Sequence, residues 1–328
     1  MNVKKKDNLV FSFYDQSMRN QVIDLFCEEY GNEKLQFSEY FDNFYNHPFQ
    51  KDKAIRIVAL DESVVAGFVS FSYWPYIINE KPRASYQCGN VIVNKNYRGK
   101  GLYNRMLDFL DEQQANLNID FLVGFPIKPI LGLYLKNKWT NLLDINWYVK
   151  LINPMGFLFA INQQKLMATF ESNYSKTEYI PRKSHFVLDR NLLFKDWRSK
   201  YSNLSPTYYY IFEKKDNWFT CELKFQKRGK YINELIVGDV QTNSTNDESF
   251  VFEALAQLKK KARGLKFITI LSFCCNEMYN DIVFSCVKKI GFFKIKNSIH
   301  FITKNYKSNL DINKAENWVL YRRDIDTW

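Results

Sequence analysis

One order of hydrophobic periods runs through this 328-residue sequence twice, and that repetition constrains its fold more than any other feature. In the first half, Phe11 to Tyr14 reads as a short strand, and Gln16 to Tyr30 carries Val22, Ile23, Phe26 and Cys27 at helical spacing. A second amphipathic stretch, Phe37 to Tyr45, stops at Asn46-His47-Pro48, where the proline disfavours helix in the residue before it. Arg56 to Leu60 and Val64 to Phe71 flank the polar turn Asp61-Glu62-Ser63 and read as a hairpin. A strand at Cys88 to Val93, a helix from Leu102 to Asn116, a strand at Phe121 to Phe125, a helix at Leu131 to Lys138 and a strand at Ile145 to Lys150 complete the first round. The Asn153-Pro154 step is then a turn signal. Beyond it, Phe194-Lys195-Asp196-Trp197-Arg198 with Pro206 echoes Tyr40-Phe41-Asp42-Asn43-Phe44 with Pro48. Strands at Thr207 to Phe212, Phe219 to Phe225 and Glu234 to Val240 follow, then a helix from Ser249 to Arg263, a strand at Phe267 to Phe273 and a helix ending at Val287-Lys288-Lys289. The expectation is a mixed α/β protein of two tandem units, residues 1–152 and 153–328.

Composition removes several classes of function. A hydrophobic share of 46% supplies two cores and argues against disorder. The most apolar run, Met155 to Ile161, is far short of the ~20 residues a membrane helix needs, so no membrane insertion is expected. Met1 to Asp7 is basic but leads into no apolar stretch, which is unlike a signal peptide and points to the cytoplasm. The six cysteines form no C-x-x-C pair and there are only three histidines, so no metal is expected. The formal charge of +11 would suit an anionic partner, but the basic residues are spread along the chain without a nucleic-acid-binding module.

Chemistry concentrates at Val91-Ile92-Val93-Asn94-Lys95-Asn96-Tyr97-Arg98-Gly99-Lys100-Gly101-Leu102, where a strand, a basic glycine turn and a helix start follow directly on one another. The first-turn amides of such a helix point outward unsatisfied, with the positive end of the dipole behind them. Glycines at 99 and 101 permit the backbone conformations and close approach that a side chain would block. A pyrophosphate fits such a cradle. The spacing is neither that of a nucleoside-triphosphate P-loop nor that of a dinucleotide fold.

The segment resembles motif A of the GNAT acetyltransferases, Gln/Arg-x-x-Gly-x-Gly/Ala, with Arg98 in the first position, Gly101 in the fourth and Tyr103 in the sixth, where Gly or Ala is usual. Leu133-Tyr134-Leu135-Lys136-Asn137-Lys138-Trp139 is similar to the family's Leu-Tyr-x-Lys-x-Gly-Phe segment, with Lys138 in place of Gly, and Ile127 stands where an Asn often precedes that helix. The resemblance implies that each unit is a mixed, mostly antiparallel sheet flanked by helices. It implies acetyl-CoA or another acyl-CoA as co-substrate, with pantetheine on the backbone of Val91 and Val93 and pyrophosphate on Arg98, Gly99, Lys100, Gly101, Leu102 and Tyr103. Tyr134 takes the position of the acid that protonates the departing thiolate. His47, beside the expected cleft, is a candidate base.

In the second unit Asp239 to Asn246 lacks the Arg-x-x-Gly-x-Gly turn, so it reads as a degenerate copy that helps to shape an acceptor cleft where the units meet, with Phe194 to Arg198 on its border. Gly124-Phe125-Pro126, Trp147-Tyr148-Val149 leading to Ile152-Asn153-Pro154, and Trp318-Val319-Leu320 with Asp324 and Asp326 look like acetyltransferase-like proteins of bacterial surface-polysaccharide pathways. That resemblance implies a nucleotide-linked amino sugar, on dTDP or UDP, as acceptor. A peptide, polyamine or antibiotic amine is the alternative, and a non-catalytic scaffold a third reading, one that would call for a broken turn in both halves.

Overall fold

The computed structural model describes residues 9–171, 186–201, 206–277 and 281–325. The first half runs β1 (Leu9–Phe13), α1 (Arg19–Tyr30), α2 (Lys34–Tyr45), β2 (Ile55–Asp61), β3 (Val64–Tyr73), β4 (Tyr76–Ile78), β5 (Lys81–Pro82) and β6 (Ser85–Val93). It continues through α3 (Leu102–Gln113), β7 (Phe121–Gly124), α4 (Lys128–Lys136) and β8 (Thr140–Leu151). The second half contains α5 (Gln163–Thr169), β9 (Val187–Leu188), α6 (Leu192–Tyr201), β10 (Thr207–Lys214), β11 (Asn217–Arg228), β12 (Ile232–Thr242), α7 (Glu248–Gly264), β13 (Ile270–Cys275), α8 (Ile282–Lys289) and β14 (Phe293–Asn305). From α6 onward it repeats the order of the first half from α2, as the sequence predicts.

The strands form one mixed sheet of eleven, ordered β1-β2-β3-β6-β7-β14-β8-β13-β12-β11-β10. Pairing is antiparallel except for β6 with β7 and β12 with β13, each joined by a crossover helix. β4, β5 and β9 make a second, three-stranded sheet. The halves exchange their last strands: β14 lies between β7 and β8, and β8 pairs with β13 on its other side. The expected boundary at Asn153-Pro154 follows β8 directly, but the sheet does not part there, because a unit cut at that point would keep β8 without either of its neighbours. β14 was not read from the sequence. Its partners stand about 150 residues away in the chain, as His300 does from Asp144, so no local pattern announces them.

Helix packing gives each face of the sheet its own core. α3 covers one face of the first unit with Leu102, Met106, Leu107 and Leu110 over Ile57, Val69, Cys88 and Leu122. α1 and α2 cover the other with Val22, Phe26, Phe41 and Tyr45 over Val58, Phe68 and Val123. α7 and α8 pack on the second unit with Val251, Leu255, Leu258 and Val287 over Leu235, Val237 and Leu271. The Lys-Gly-Phe ending that α4 lacks is visible in the backbone: Lys138 takes φ +63°, the left-handed conformation that Gly291 supplies after α8 at +88°.

Candidate functional site: an open strand pair before an uncapped helix

β6 pairs with β7 only over Ser85 to Gln87, against Phe121 to Val123. From Cys88 onward the two strands diverge, and β6 keeps only its β3 neighbour. A bulge sits at the divergence: Gly89 faces Ser70 and Ile92 faces Phe68, so Asn90 and Val91 together oppose one residue of β3. Asn90 adopts φ +48° there, which asparagine tolerates better than most side chains. Asn94 N–H donates to Ala66 O, so strand alternation turns the peptide groups of Val91 and Val93 away from β3, into the opening. Strand peptide groups that face a gap of this kind suit an extended, amide-bearing ligand, although the Val93 carbonyl already accepts from the Arg98 side chain.

The glycine turn closes the upper end of the gap. Gly99 and Gly101 have φ of +76° and +71°, and Gly101 is the N-cap of α3 with no side-chain cap on the helix. The amides of Leu102 and Tyr103 therefore lie in an uncapped first turn. A Cβ at either glycine would meet nothing of the described chain within 4 Å, so what the fold itself requires at these positions is conformational. The Arg98 side chain braces the turn, donating from Nε to Val93 O at 3.0 Å and pairing with Glu29 of α1 at 2.6 Å. Lys100 is exposed, with Nζ 5.2 Å from the centre of the Tyr97 ring.

At the lower end, Cys88 is the first residue past the last parallel pair. Its Sγ is 3.4 Å from the hydroxyl of Tyr134 and 3.5 Å from that of Tyr103. The two tyrosine rings meet edge to face at 5.8 Å, and all three residues are buried. Burial, with Cys88 and Tyr134 adding to it, raises the Tyr103 phenol well above its ordinary range, which keeps it a proton donor at neutral pH. Thus Tyr103 offers its backbone N–H to the turn while its side chain fills the space beneath.

The segment holding this geometry is the one that known families recognise. Residues 19–123, from the start of α1 into β7, match the model of the Acetyltransferase (GNAT) family. That segment is similar to a GNAT domain. No curated protein matches the sequence. Among solved structures, a GCN5-related N-acetyltransferase from Anabaena variabilis is similar at 13% identity and a TM-score of 0.63, over 91% of this chain and 73% of its own. A probable N-acyltransferase from Enterococcus faecalis gives 10% identity and a TM-score of 0.61 over the same shares. The N-myristoyltransferase of Saccharomyces cerevisiae, solved with myristoyl-CoA, gives 11% identity and a TM-score of 0.51, over 100% of this chain and 86% of its own. At these identities the likeness is one of fold, and the yeast likeness extends over both halves.

Outside the opening, the other sequence-predicted residues play different parts. His47 is 6% exposed, and both ring nitrogens are engaged: Nδ1 accepts from Phe49 N–H at 3.1 Å and Nε2 lies 2.9 Å from Asp196 of α6. The first contact fixes the tautomer with the proton on Nε2, so His47 ties α2 to α6 and presents no free lone pair. Phe194, Trp197 and Arg198 do not border an open cleft either. Trp197 is fully buried between Phe44 and Phe49 and donates to Phe44 O at 2.9 Å, while Arg198 donates to Ile325 O at 3.0 Å. These side chains build the seam between the halves. Asp324 is buried there against Arg190, and Asp326 lies outside the described residues.

Two features of the opening were missed in the sequence. On the α1/α2 face, Asn90 Nδ2 donates to the Tyr45 hydroxyl at 2.8 Å, that hydroxyl donates to Ser70 Oγ at 2.7 Å, and Ser70 donates to Gly89 O at 3.0 Å. Burial pushes the Tyr45 phenol up to about 12, so this line stays neutral. Gln87, between Tyr86 and Cys88 and on the opposite face from them, is 2% exposed with a buried Oε1 that has no hydrogen-bond partner among the described residues. A buried amide oxygen of this kind can accept from a water or from a bound ligand. Only the side-chain alternation of β6 could have flagged it.

Proposed function

We propose that this protein is an N-acyltransferase that takes an acyl-CoA in the opening between β6 and β7 and passes the acyl group to an amine. The observation that carries this reading is the uncapped α3 N-terminus behind two left-handed glycines, directly following in the chain the stretch of β6 that is not paired with β7. The amides of Leu102 and Tyr103, with Lys100 nearby, would hold the pyrophosphate, and the peptide groups of Val91 and Val93 the pantetheine arm. The thioester would then lie beside Cys88 and Tyr134. Attack by a neutral amine gives a tetrahedral adduct, whose collapse needs a proton on the leaving sulfur and the loss of one from nitrogen. Tyr134 supplies the first, with its hydroxyl held by Cys88. On the other face, Gln87 Oε1 can accept from the incoming amine. With His47 committed to Asp196, the amine's proton leaves through water.

The acceptor we propose is an amino sugar carried on dTDP or UDP. The neutral polar line of Asn90, Tyr45 and Ser70 suits an acceptor rich in hydroxyls, and the charge of +11 suits its diphosphate. A thermal-shift screen of acyl-CoAs and nucleotide sugars, followed by thiol-release assays, tests both parts, because a ligand that binds only the folded state raises its stability. Without a shift from any acyl-CoA the coenzyme assignment fails. A shift with acyl-CoA, but transfer only to polyamines or peptides, removes the amino sugar alone.

A further inference from the structure

The positive charge is not spread evenly once the chain is folded. Across residues 150–170, 226–233 and 257–269 there are ten lysines and arginines and no aspartate or glutamate, although the chain as a whole has 46 and 35. These three segments meet at one end of the second unit. The Asn153 side chain donates to Ile268 O at 2.9 Å and to Arg263 O and Leu265 O at 3.3 Å. Gly156 lies so close that a Cβ would be 3.0 Å from Ile268 O. Phe157 packs edge to face on Tyr231 at 5.1 Å, and Asn233 Nδ2 donates to Phe267 O at 2.9 Å.

Both kinds of side chain at this end face water. Lys165, Lys227 and Lys230 are exposed, as are Lys260, Lys261, Arg263 and Lys266; Arg228, by contrast, turns inward to pair with Glu234. Among them stand apolar residues that no part of the described chain covers: Met155, Leu158 and Phe159 are 56%, 64% and 48% exposed, and Tyr231 is 56% exposed. Strand directions carry the location further. β6 and β7 are parallel, β7, β14, β8 and β13 alternate, and β13 and β12 are parallel. The C-terminal ends of β6 and β7, where the coenzyme opening lies, are therefore at the same end of the sheet as this cluster.

We propose that this end of the second unit seats on an anionic phospholipid bilayer, with Leu158 and Phe159 entering the headgroup boundary and the lysines over the lipid phosphates. An isolated cluster of positive charge would suit any polyanion, but a nucleic acid would leave Met155, Leu158 and Phe159 uncovered, whereas a bilayer accepts apolar and cationic side chains together. A protein interface fits less well, since such interfaces are depleted in lysine and enriched in arginine, and the seven exposed cations are six lysines and Arg263. No described helix is long and apolar enough to cross a membrane, so the association is peripheral.

The test is sedimentation of the full chain with vesicles of phosphatidylcholine alone or with about a third phosphatidylserine. Binding is expected only to the anionic vesicles and should weaken with salt. Replacing Lys230, Arg263 and Lys266 together by Gln should lower the partition on the order of a hundredfold, from the usual worth of three juxtamembrane charges. Leu158→Ser with Phe159→Ser should weaken binding at every salt concentration, with an unchanged circular dichroism spectrum and unchanged transfer to a soluble acceptor. Equal binding to neutral vesicles, none to anionic ones at low salt, or indifference to both variant sets would overturn the proposal. So would tight binding to DNA or RNA that the Lys and Arg changes abolish while vesicles are ignored, which would make the cluster a nucleic-acid surface.

Discussion

The two halves build the same corner from matching strands and then finish it in opposite ways. Cys88-Gly89-Asn90-Val91 of β6 and Val237-Gly238-Asp239-Val240 of β12 each lie where parallel pairing with the next strand ends, and each carries a bulge. In the first half the residues at the bulge are neutral, Asn90 and Ser70 joined through Tyr45, and the gap beyond them stays open. In the second half Asp239 and the facing Glu222 stand beside the bulge, paired with Arg190 and Arg323, and Arg190 also holds Asp324. The chain's own Leu320 and Tyr321 close that gap, against Asn276 and Cys275. The helix starts differ in the same sense. α3 begins at Gly101 without a cap, whereas α7 begins at Asp247, whose carboxylate accepts from Phe250 N–H and is followed by Glu248. A helix that caps itself with a carboxylate has filled the place an anion would take.

The largest effect should come from making the first corner like the second. Gly101→Asp puts a carboxylate at an anion site and strains a φ of +71° by about 1–2 kcal/mol. We expect acyl-CoA affinity, measured by calorimetry, to fall at least ~100-fold while the protein stays folded, since no neighbour lies within 4 Å of the new Cβ. Next in size is Tyr134→Phe, which should lower kcat on the order of a hundredfold with chemistry rate-limiting. Cys88→Ala should cost less, and nothing further when added to Tyr134→Phe; an unchanged kcat in both single variants would remove Tyr134 from the mechanism.

The packed interior of the second half offers a pH handle. Lys224 of β11 is buried, and burial first, with Arg198 and Arg322 adding, lowers its pKa from 10.5 to about 8. The unfolded chain then holds more protons between these values, so stability rises with pH from about 8 to 10.5 and the contribution is unfavourable below 8. Urea titrations should show the parent gaining roughly 2–3 kcal/mol relative to Lys224→Met across that window; parallel curves would refute the assignment. The smallest change is Asp247→Ala, which removes the α7 cap for about 1 kcal/mol. It should confer no acyl-CoA binding, because the gap beyond β12 remains occupied.

Local chemistry was legible in the sequence wherever the backbone itself decided it. The glycine turn, the helix that follows it and the hairpin of β2 and β3 are set by neighbours within a few residues, and the repeated order of elements follows from periodicity alone. Long-range pairing was not legible, which is why β14 and the exchange of final strands could not be read. The roles of His47, Phe194, Trp197 and Arg198 were obscured for another reason. Aromatic rings and an arginine serve a ligand pocket and a buried seam equally well, and only the 0% exposure of Phe194 and Trp197 separates the two. The β4–β5 hairpin escaped because its strands are three and two residues long, with Asn79 and Glu80 at positive φ between them.

The exchange of β8 and β14 sets a timetable for the ribosome. β7 has β6 on one side and needs β14 on the other, yet β14 ends at Asn305 and is made long after β7 ends at Gly124. At synthesis rates of ~5–20 residues per second, the first half waits roughly ten to thirty seconds with a strand edge unpaired. An edge of that kind is a template for another chain. Nascent copies on neighbouring ribosomes could trade final strands before either had made its own, and two chains interlocked in that manner would satisfy every pairing of the sheet. Expression at high density should therefore yield a dimer fraction that dilution of the folded protein does not dissolve.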